Sequence, residues 1–194
     1  MQNKPNENLL QLLTSYTPTD DFEKNDLTEM INQLQLHGNS LLHRTMRLAH
    51  FTASGFILNK ALDKTLMIHH NLYNAWGWTG GHADGNGDLL AVAIKEAVEE
   101  TGVKNVTPLT TAPVAIDIIP VWRHKKHGAT ICSHLHFNVT FFLMADELEP
   151  TRIKEDENSD VKWISLKDVP VMCNEEKMIP IYHKLIKKIP SYKK

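Results

Sequence analysis

Cysteine is nearly absent from this chain: of 194 residues only Cys132 and Cys173 are cysteines. Two thiols make no disulfide framework and do not stand at a metal-ligand spacing, so a reducing compartment is expected. Long apolar runs are missing too. No stretch approaches the ~20 apolar residues of a spanning helix, and the opening MQNKPNENLLQLL lacks the hydrophobic segment of a signal peptide. A cytoplasmic protein with no membrane partner is the expectation. Nor is there an excess of charge of one sign, with Lys+Arg 21 against Asp+Glu 23 and a formal net charge of −2. A general nucleic-acid binder shows a basic excess, so no nucleic-acid partner is expected, although phosphate can still be held through a metal. Repeats and low-complexity tracts are also absent. What is present is a globular composition, 42 % hydrophobic and 23 % charged, in a length that suits one domain plus a modest extension.

Residues 1–48 differ in style from the rest. Leu9, Leu10, Leu12 and Leu13, then Leu27, Met30, Ile31 and Leu34, then Leu41, Leu42 and Met46 recur at helical spacing. SYTPTDD breaks the first two segments, and Asp26 followed by Glu29 predicts an N-cap with its capping-box partner. These residues are expected to form a helical extension packed on a main domain at 49–194. From His50 the pattern turns to β: FTASGFILN, a turn at LDK, and TLMIHHNLY predict a hairpin. WGWTGGHADGNGD, with five glycines, predicts a loop. Asp88 is placed to N-cap a helix that Gly102 ends, with Leu89, Ala93 and Ala97 along one side. VTPLTTAPVAIDIIPV and HLHFNVTFFLMA read as long strands, DVKWISL as a short one, and residues 174–189 as an amphipathic terminal helix. The order predicts an α/β fold with a mixed sheet and helices on its faces.

Chemistry concentrates on the helix after the glycine-rich stretch. Glu96, Glu99 and Glu100 are related by i+3 and i+4 and project within one turn of each other, where like charges repel. A hard divalent cation such as Mg²⁺ offsets that repulsion, because it prefers carboxylate oxygens and engages substrate phosphates at the same time. Three glutamates alone read first as a solvated acidic face. The preceding Gly80-Gly81 turn and the helix N-terminus, which favours anions, tip the reading towards a metal-bridged diphosphate site. Among the 11 histidines, His134 and His136 lie two apart on a strand and share a face with Asn138. They read as a metal pair, as donors in a substrate pocket, or as partly buried structural residues. His82 follows the double glycine, and His69 and His70 alternate across a strand. Trp76 and Trp78 are placed to stack on a base or to pack the sheet.

The run GGHADGNGDLLAVAIKEAVEETGV, Gly80 to Val103, resembles the Nudix box of the Nudix hydrolases, G-x5-E-x7-R-E-U-x-E-E-x-G-U with U a bulky aliphatic residue. Gly81 takes the first glycine, Glu96 the glutamate after the arginine position, Glu99 and Glu100 the paired glutamates, and Gly102 and Val103 the close. HFTAS, LMIHH, WGWTGGH and ENSDVKWISL are similar to a bacterial Nudix subgroup, so the likeness covers roughly 50–170. Three positions depart from the pattern: Gly87 stands where the family has its upstream glutamate, Lys95 where it has arginine, and Ala97 where it has a larger aliphatic residue. The resemblance implies an α/β/α sandwich. It also implies that Glu96, Glu99 and Glu100, with the Gly80 carbonyl, coordinate Mg²⁺ or Mn²⁺ for hydrolysis of a diphosphate linkage in a nucleoside diphosphate derivative or a similar small-molecule substrate. Glu157, in DENSDVKW, is the candidate general base, although the acidic run EDEN also reads as ordinary loop charge. Trp78, His82, His134 and His136 are candidate substrate contacts, and a homodimer is an expectation by analogy.

Two other functions fit the same resemblance. A nucleotide-sensing Nudix domain without turnover is suggested by Gly87 and Lys95 and opposed by the three retained glutamates. An isopentenyl-diphosphate isomerase-like enzyme needs a catalytic cysteine in a family position, and neither Cys132 nor Cys173 stands in one.

Overall fold

The computed structural model of the chain describes residues 4–126 and 128–193. It opens with helices α1 (Glu7–Ser15) and α2 (Asp21–His37), followed by a 3₁₀ turn at Gly38–Leu42. Asn6 caps α1 by accepting from the Leu9 amide at 3.0 Å. Asp20 caps α2 by accepting from the Glu23 amide at 2.8 Å, while Glu23 Oε2 reaches back to the Thr19 amide at 2.8 Å. The cap and its glutamate therefore lie at 20 and 23, and not at Asp26 and Glu29. Asp26 sits inside the helix, where its carboxylate accepts from the Ile118 amide at 2.8 Å.

Strands β1 (Ala49–Leu58) and β2 (Lys64–His70) follow. They meet only at Ile57↔Leu66 and Leu58↔Thr65, because β1 parts from β2 and pairs through its middle with a different strand. That strand arises from the stretch expected to be a loop. The glycine-rich segment forms β3 (Ala75–Gly77), paired with β2, and β4 (Thr79–His82), paired antiparallel with β1 through Thr52↔His82 to Gly55↔Thr79. Glycine weakens a strand by itself, but it is retained where another group approaches the backbone closely.

Helix α3 (Leu89–Thr101) starts on the Asp88 cap, which accepts from the Ala91 amide at 3.0 Å, and ends at Gly102 with φ +75°. Leu89, Val92, Ala93 and Ala97 are its buried side. The long strand read between 106 and 121 divides into β5 (Thr107–Pro108) and β6 (Ala115–Val121). Pro108 and Pro113 bound the break, and neither has an amide to give a ladder. A small hairpin, β7 (His124–Lys126) and β8 (Ala129–Ile131), leads to β9 (His134–Met144) and β10 (Asn158–Ser165). Two helices close the chain, α4 (Val169–Met172) and α5 (Ile179–Lys188). The terminal helix begins at 179 and not at 174, since Pro180 is tolerated only in a first turn.

The eight-stranded sheet runs β10-β2-β1-β9-β5, with β3 on β2, β4 on β1 and β6 on β9. Its spine is the parallel pair β1–β9, in register from Ala49↔Leu135 to Leu58↔Met144. Side chains alternate across a strand, so two faces follow. Phe51, Ala53, Ile57, Phe137, Val139, Phe141 and Leu143 join one core with α1, α2 and α3. Phe56, Leu58, Phe142 and Ala115 join another with Val169 of α4 and Tyr182 and Leu185 of α5. This is a mixed sheet between two helical layers, as expected. Among the described residues no helix is long and apolar enough to cross a membrane.

The outer edge of β6 is covered by a helix. The Ile116 and Ile118 amides of this strand donate to Glu23 Oε1 (3.2 Å) and Asp26 Oδ2 (2.8 Å) of α2, so carboxylates satisfy donors that an open edge leaves bare. Glu23 is 1 % exposed and is met by Lys184 Nζ and Lys188 Nζ of α5, each at 3.2 Å.

Candidate functional site

Two groups of metal-ligand type are present among the described residues, one of carboxylates and one of imidazoles. The carboxylate group is Glu96 and Glu100 of α3 with Glu157 from the turn that enters β10, their oxygens all within 4.8 Å of one another. Glu96 and Glu100 are one helical turn apart, so the helix alone brings these two together. Glu157 arrives from 57 residues away in sequence. Its turn is tied to α3 by Asn158, whose Nδ2 donates to the Glu100 carbonyl at 2.9 Å.

Strand β4 explains the double glycine. The Gly80 amide donates to Glu100 Oε2 at 3.0 Å. A Cβ on Gly81 would lie 2.7 Å from Glu96 Oε1, so only a residue without one lets the helix carboxylate lie against the strand. Glu100 is 2 % exposed. Burial pushes its carboxyl well above the usual carboxylate range; the Gly80 amide opposes this, and the charges of Glu157 and Glu96 add to it. In its ionised form a buried acid beside two more acids is unfavourable unless a cation compensates. Two lysines reach part of the way. Lys95 Nζ lies 3.1 Å from both Glu96 Oε1 and Glu99 Oε2, and Lys154 Nζ lies 3.3 Å from Glu157 and 3.7 Å from Glu99. Glu99 is thus turned to the two lysines and stands outside the converging three. The donor set, all oxygen and buried at its centre, fits a hard divalent ion of the Mg²⁺ or Mn²⁺ kind.

Gly87 faces the amino-terminal helix. A Cβ there would lie 2.7 Å from Asn6 Cγ, in the cap of α1. The loop that carries it is also held by Arg44, whose Nε and Nη2 donate to Asp84 at 2.8 and 2.7 Å.

The histidines gather elsewhere. His82 does not join the carboxylates; its ring lies 5.1 Å from that of His50 and 5.0 Å from that of His136, on the side of β4 away from Gly81. His134 Nε2 is 3.1 Å from His136 Nε2. Burial, followed by the neighbouring rings of His82, His50 and His134, lowers His136 to about 2, so it is neutral at physiological pH. Asn138, on the same face, accepts from Thr52 Oγ1 (3.0 Å) and Ser54 Oγ (2.8 Å). His69 pairs with Ser159 Oγ at 2.9 Å and His70 lies against Tyr73, so neither is in a cluster. Trp76 packs on His69. Trp78 packs edge-on against Tyr182, whose hydroxyl accepts from the Trp78 amide at 3.1 Å, which makes it part of the α5 core.

Sequence reasoning passed over His50, Asn158 and Lys154. The alternation of His50 with Thr52 and Ser54 along β1 was a visible signal. The parallel register that sets His50 beside His136 was not, because the two are 86 residues apart. Lys154 lies three residues before Glu157, a spacing that meets only once the turn between them has formed.

A family model described as the NUDIX domain matches residues 49–188. No curated protein matches the sequence. Among solved structures, an Ap4A hydrolase of C. elegans aligns over 73 % of this chain and 98 % of its own, at 17 % identity and a TM-score of 0.50. The dihydroneopterin triphosphate pyrophosphohydrolase of E. coli aligns over 71 % and 94 %, at 12 % identity and a TM-score of 0.53. At these identities the likeness is one of fold.

Proposed function

Because the chain belongs to the Nudix family, whose members are generally metal-dependent pyrophosphohydrolases, we propose that it hydrolyses a diphosphate linkage in a nucleoside diphosphate derivative or a similar small molecule. The observation that carries this reading is the convergence of Glu96, Glu100 and Glu157 within 4.8 Å from two separate segments. Fold alone would not justify an activity.

Glu96 and Glu100 would hold the divalent ion, with Glu99 and the Gly80 carbonyl as the further ligands that the family pattern implies and Glu157 beside them. Such an ion neutralises charge on the phosphates and lowers the pKa of a bound water. The chain's own groups set the stage. The Gly80 amide fixes one oxygen of Glu100, and Asn158 fixes the helical turn that bears it. Lys95 and Lys154 neutralise the flanking carboxylates, and in this reading their ammonium groups would meet a phosphate oxygen of the substrate. Glu157, on a turn rather than on the rigid helix, takes the proton of the attacking water as the phosphorus–oxygen bond of the anhydride breaks. Trp78 has a packing role in this reading, and the histidines are assigned another role below.

The test is product formation from a panel of nucleoside triphosphates, ADP-ribose, dinucleoside polyphosphates, nucleotide sugars, NADH and coenzyme A. Each is run with Mg²⁺ or Mn²⁺ beside a Glu100→Gln protein. Cleavage of a panel member with turnover lower by orders of magnitude in the variant is the expected result. Equal turnover in the variant would remove the carboxylates from the chemistry. Binding of a panel member with no product from either protein would replace hydrolysis with nucleotide sensing.

A further inference from the structure

The second ligand-type group is made of imidazoles alone. His50 of β1, His82 of β4 and His136 of β9 offer ring nitrogens that lie within 4.8 Å of one another. His134 stacks on His50 with ring centroids 4.9 Å apart and places Nε2 3.1 Å from His136 Nε2. Four rings from three adjacent strands therefore meet on the sheet face opposite α3.

The tautomers are fixed at two of the four. His50 Nδ1 lies 3.1 Å from the Met46 carbonyl oxygen, and His134 Nδ1 lies 2.9 Å from the Cys132 carbonyl oxygen. A carbonyl only accepts, so Nδ1 carries the proton in each ring and Nε2 carries the lone pair. In His50, which is 4 % exposed, that Nε2 is buried and has no hydrogen-bond partner. A buried acceptor without a donor is a cost that a native interior normally avoids. An imidazole whose other nitrogen donates to a backbone carbonyl is, however, the usual posture of a metal-ligating histidine. Here that posture occurs twice in one cluster.

We propose that His50, His82 and His136, with His134 as the fourth nitrogen, form a second metal site, selective for a borderline divalent ion such as Zn²⁺. Imidazole nitrogens suit that class of ion, whereas the all-oxygen group on α3 suits a hard one, so the two sites divide by ligand chemistry. Four protein nitrogens close a tetrahedral shell, which is the pattern of a structural ion rather than a catalytic one. An ion there would tie β1, β4 and β9 together next to Gly80 and Gly81, and would hold in place the backbone on which Glu96 and Glu100 rest.

The experiment uses the untagged full chain, stripped with a chelator and then titrated with Zn²⁺ alone in excess Mg²⁺, which occupies the carboxylate group. Binding is read by calorimetry and by the thermal midpoint. Co²⁺ replaces Zn²⁺ in a parallel sample, where visible absorption distinguishes four-coordinate from six-coordinate metal. The expected result is one Zn²⁺ per chain, a raised midpoint and a four-coordinate Co²⁺ spectrum. Affinity should fall at least about tenfold in His82→Gln and in His136→Gln and hold steady in Glu100→Gln. His82 is partly exposed, so its variant decides the matter if the His136 variant does not fold. Absence of Zn²⁺ binding, unchanged affinity in His82→Gln, or loss of binding in Glu100→Gln would overturn the proposal. None of these readouts depends on turnover, so the site stands or falls apart from the hydrolytic reading.

Discussion

A single missing methyl group sets the geometry of the carboxylate site. With no Cβ at position 81, Glu96 lies directly on strand β4, and the neighbouring Gly80 amide is free to donate to Glu100. Gly81→Ala leaves the strand pairing intact, since its backbone conformation is ordinary, but forces the Glu96 carboxylate outward. Hydrolysis should then fall by about a hundredfold, the effect of displacing a catalytic group by ~1 Å, with little change in thermal midpoint. Product formation and a melting curve on the same sample check this; full activity would show that Glu96 need not rest on the strand. The lysine at 95 belongs to the same scale. It pairs with Glu96 and Glu99 through an ammonium that serves both as a point charge, where the family's arginine would offer a planar fork.

At the scale of elements, the loop before α3 is braced from outside the family's pattern. The family has a glutamate where this chain has Gly87, and the space that a side chain would enter is taken by Asn6, the cap of α1. Arg44 and Asp84 hold the same loop from the segment after α2. Helices that precede the family domain thus touch the loop that leads into its box. Gly87→Ala should push Asn6 out of its capping position and cost about 1 kcal/mol, the usual worth of a cap. Asn6→Ala should cost a similar amount, and the double variant clearly less than the sum. Denaturant unfolding of the four proteins measures that coupling. Additive losses would mean that the two residues do not share one contact. Putting glutamate at 87 would accordingly disturb α1 before it helped any metal.

For the molecule as a whole, the join between the amino-terminal helices and the sheet edge is electrostatic at its centre. Burial works against ionised Glu23, but the Tyr16 hydroxyl, the Thr19 amide, Lys184 and Lys188 outweigh it and hold its carboxyl at about 2, below the ordinary 4.5. A carboxylate depressed in the folded state stabilises fully above its unfolded value and loses that contribution as pH falls from about 4.5 towards 2. Asp117, 2.6 Å from Lys184, goes the other way. Burial raises it to about 6 against the pull of Lys184, so its charge weakens the fold above that pH and the penalty eases on acidification. Glu23→Gln should therefore be less stable than the parent by a few kcal/mol at pH 7, because half-buried Lys188 loses its carboxylate partner and Lys184 is left with Asp117. The gap should narrow below about pH 4.5, as Glu23 protonates first in the unfolded chain and only towards pH 2 in the folded one. Unfolding curves at pH 7, 4.5 and 3.5 test it, and a gap that stays constant would show that the charge of Glu23 is not what joins the layers.

The amino-acid sequence by itself determined the helix between Asp88 and Gly102, the triplet Glu96, Glu99 and Glu100 on it, and the alternation that puts His134, His136 and Asn138 on one face. Each depends on neighbours within a turn or a pleat, where local geometry dictates which side chains meet. It also carried the pattern that places residues 49–188 in their family. Only the tertiary structure decided that the first part of the glycine-rich stretch forms two short strands, that Glu157 rather than Glu99 completes the carboxylate group, and that His82 belongs with His50 and His136. It also decided that α2 seals the edge of β6 through Glu23 and Asp26. Those outcomes rest on a parallel register between strands far apart in sequence and on which side chain finds a partner after burial. Neither leaves a periodicity in the chain.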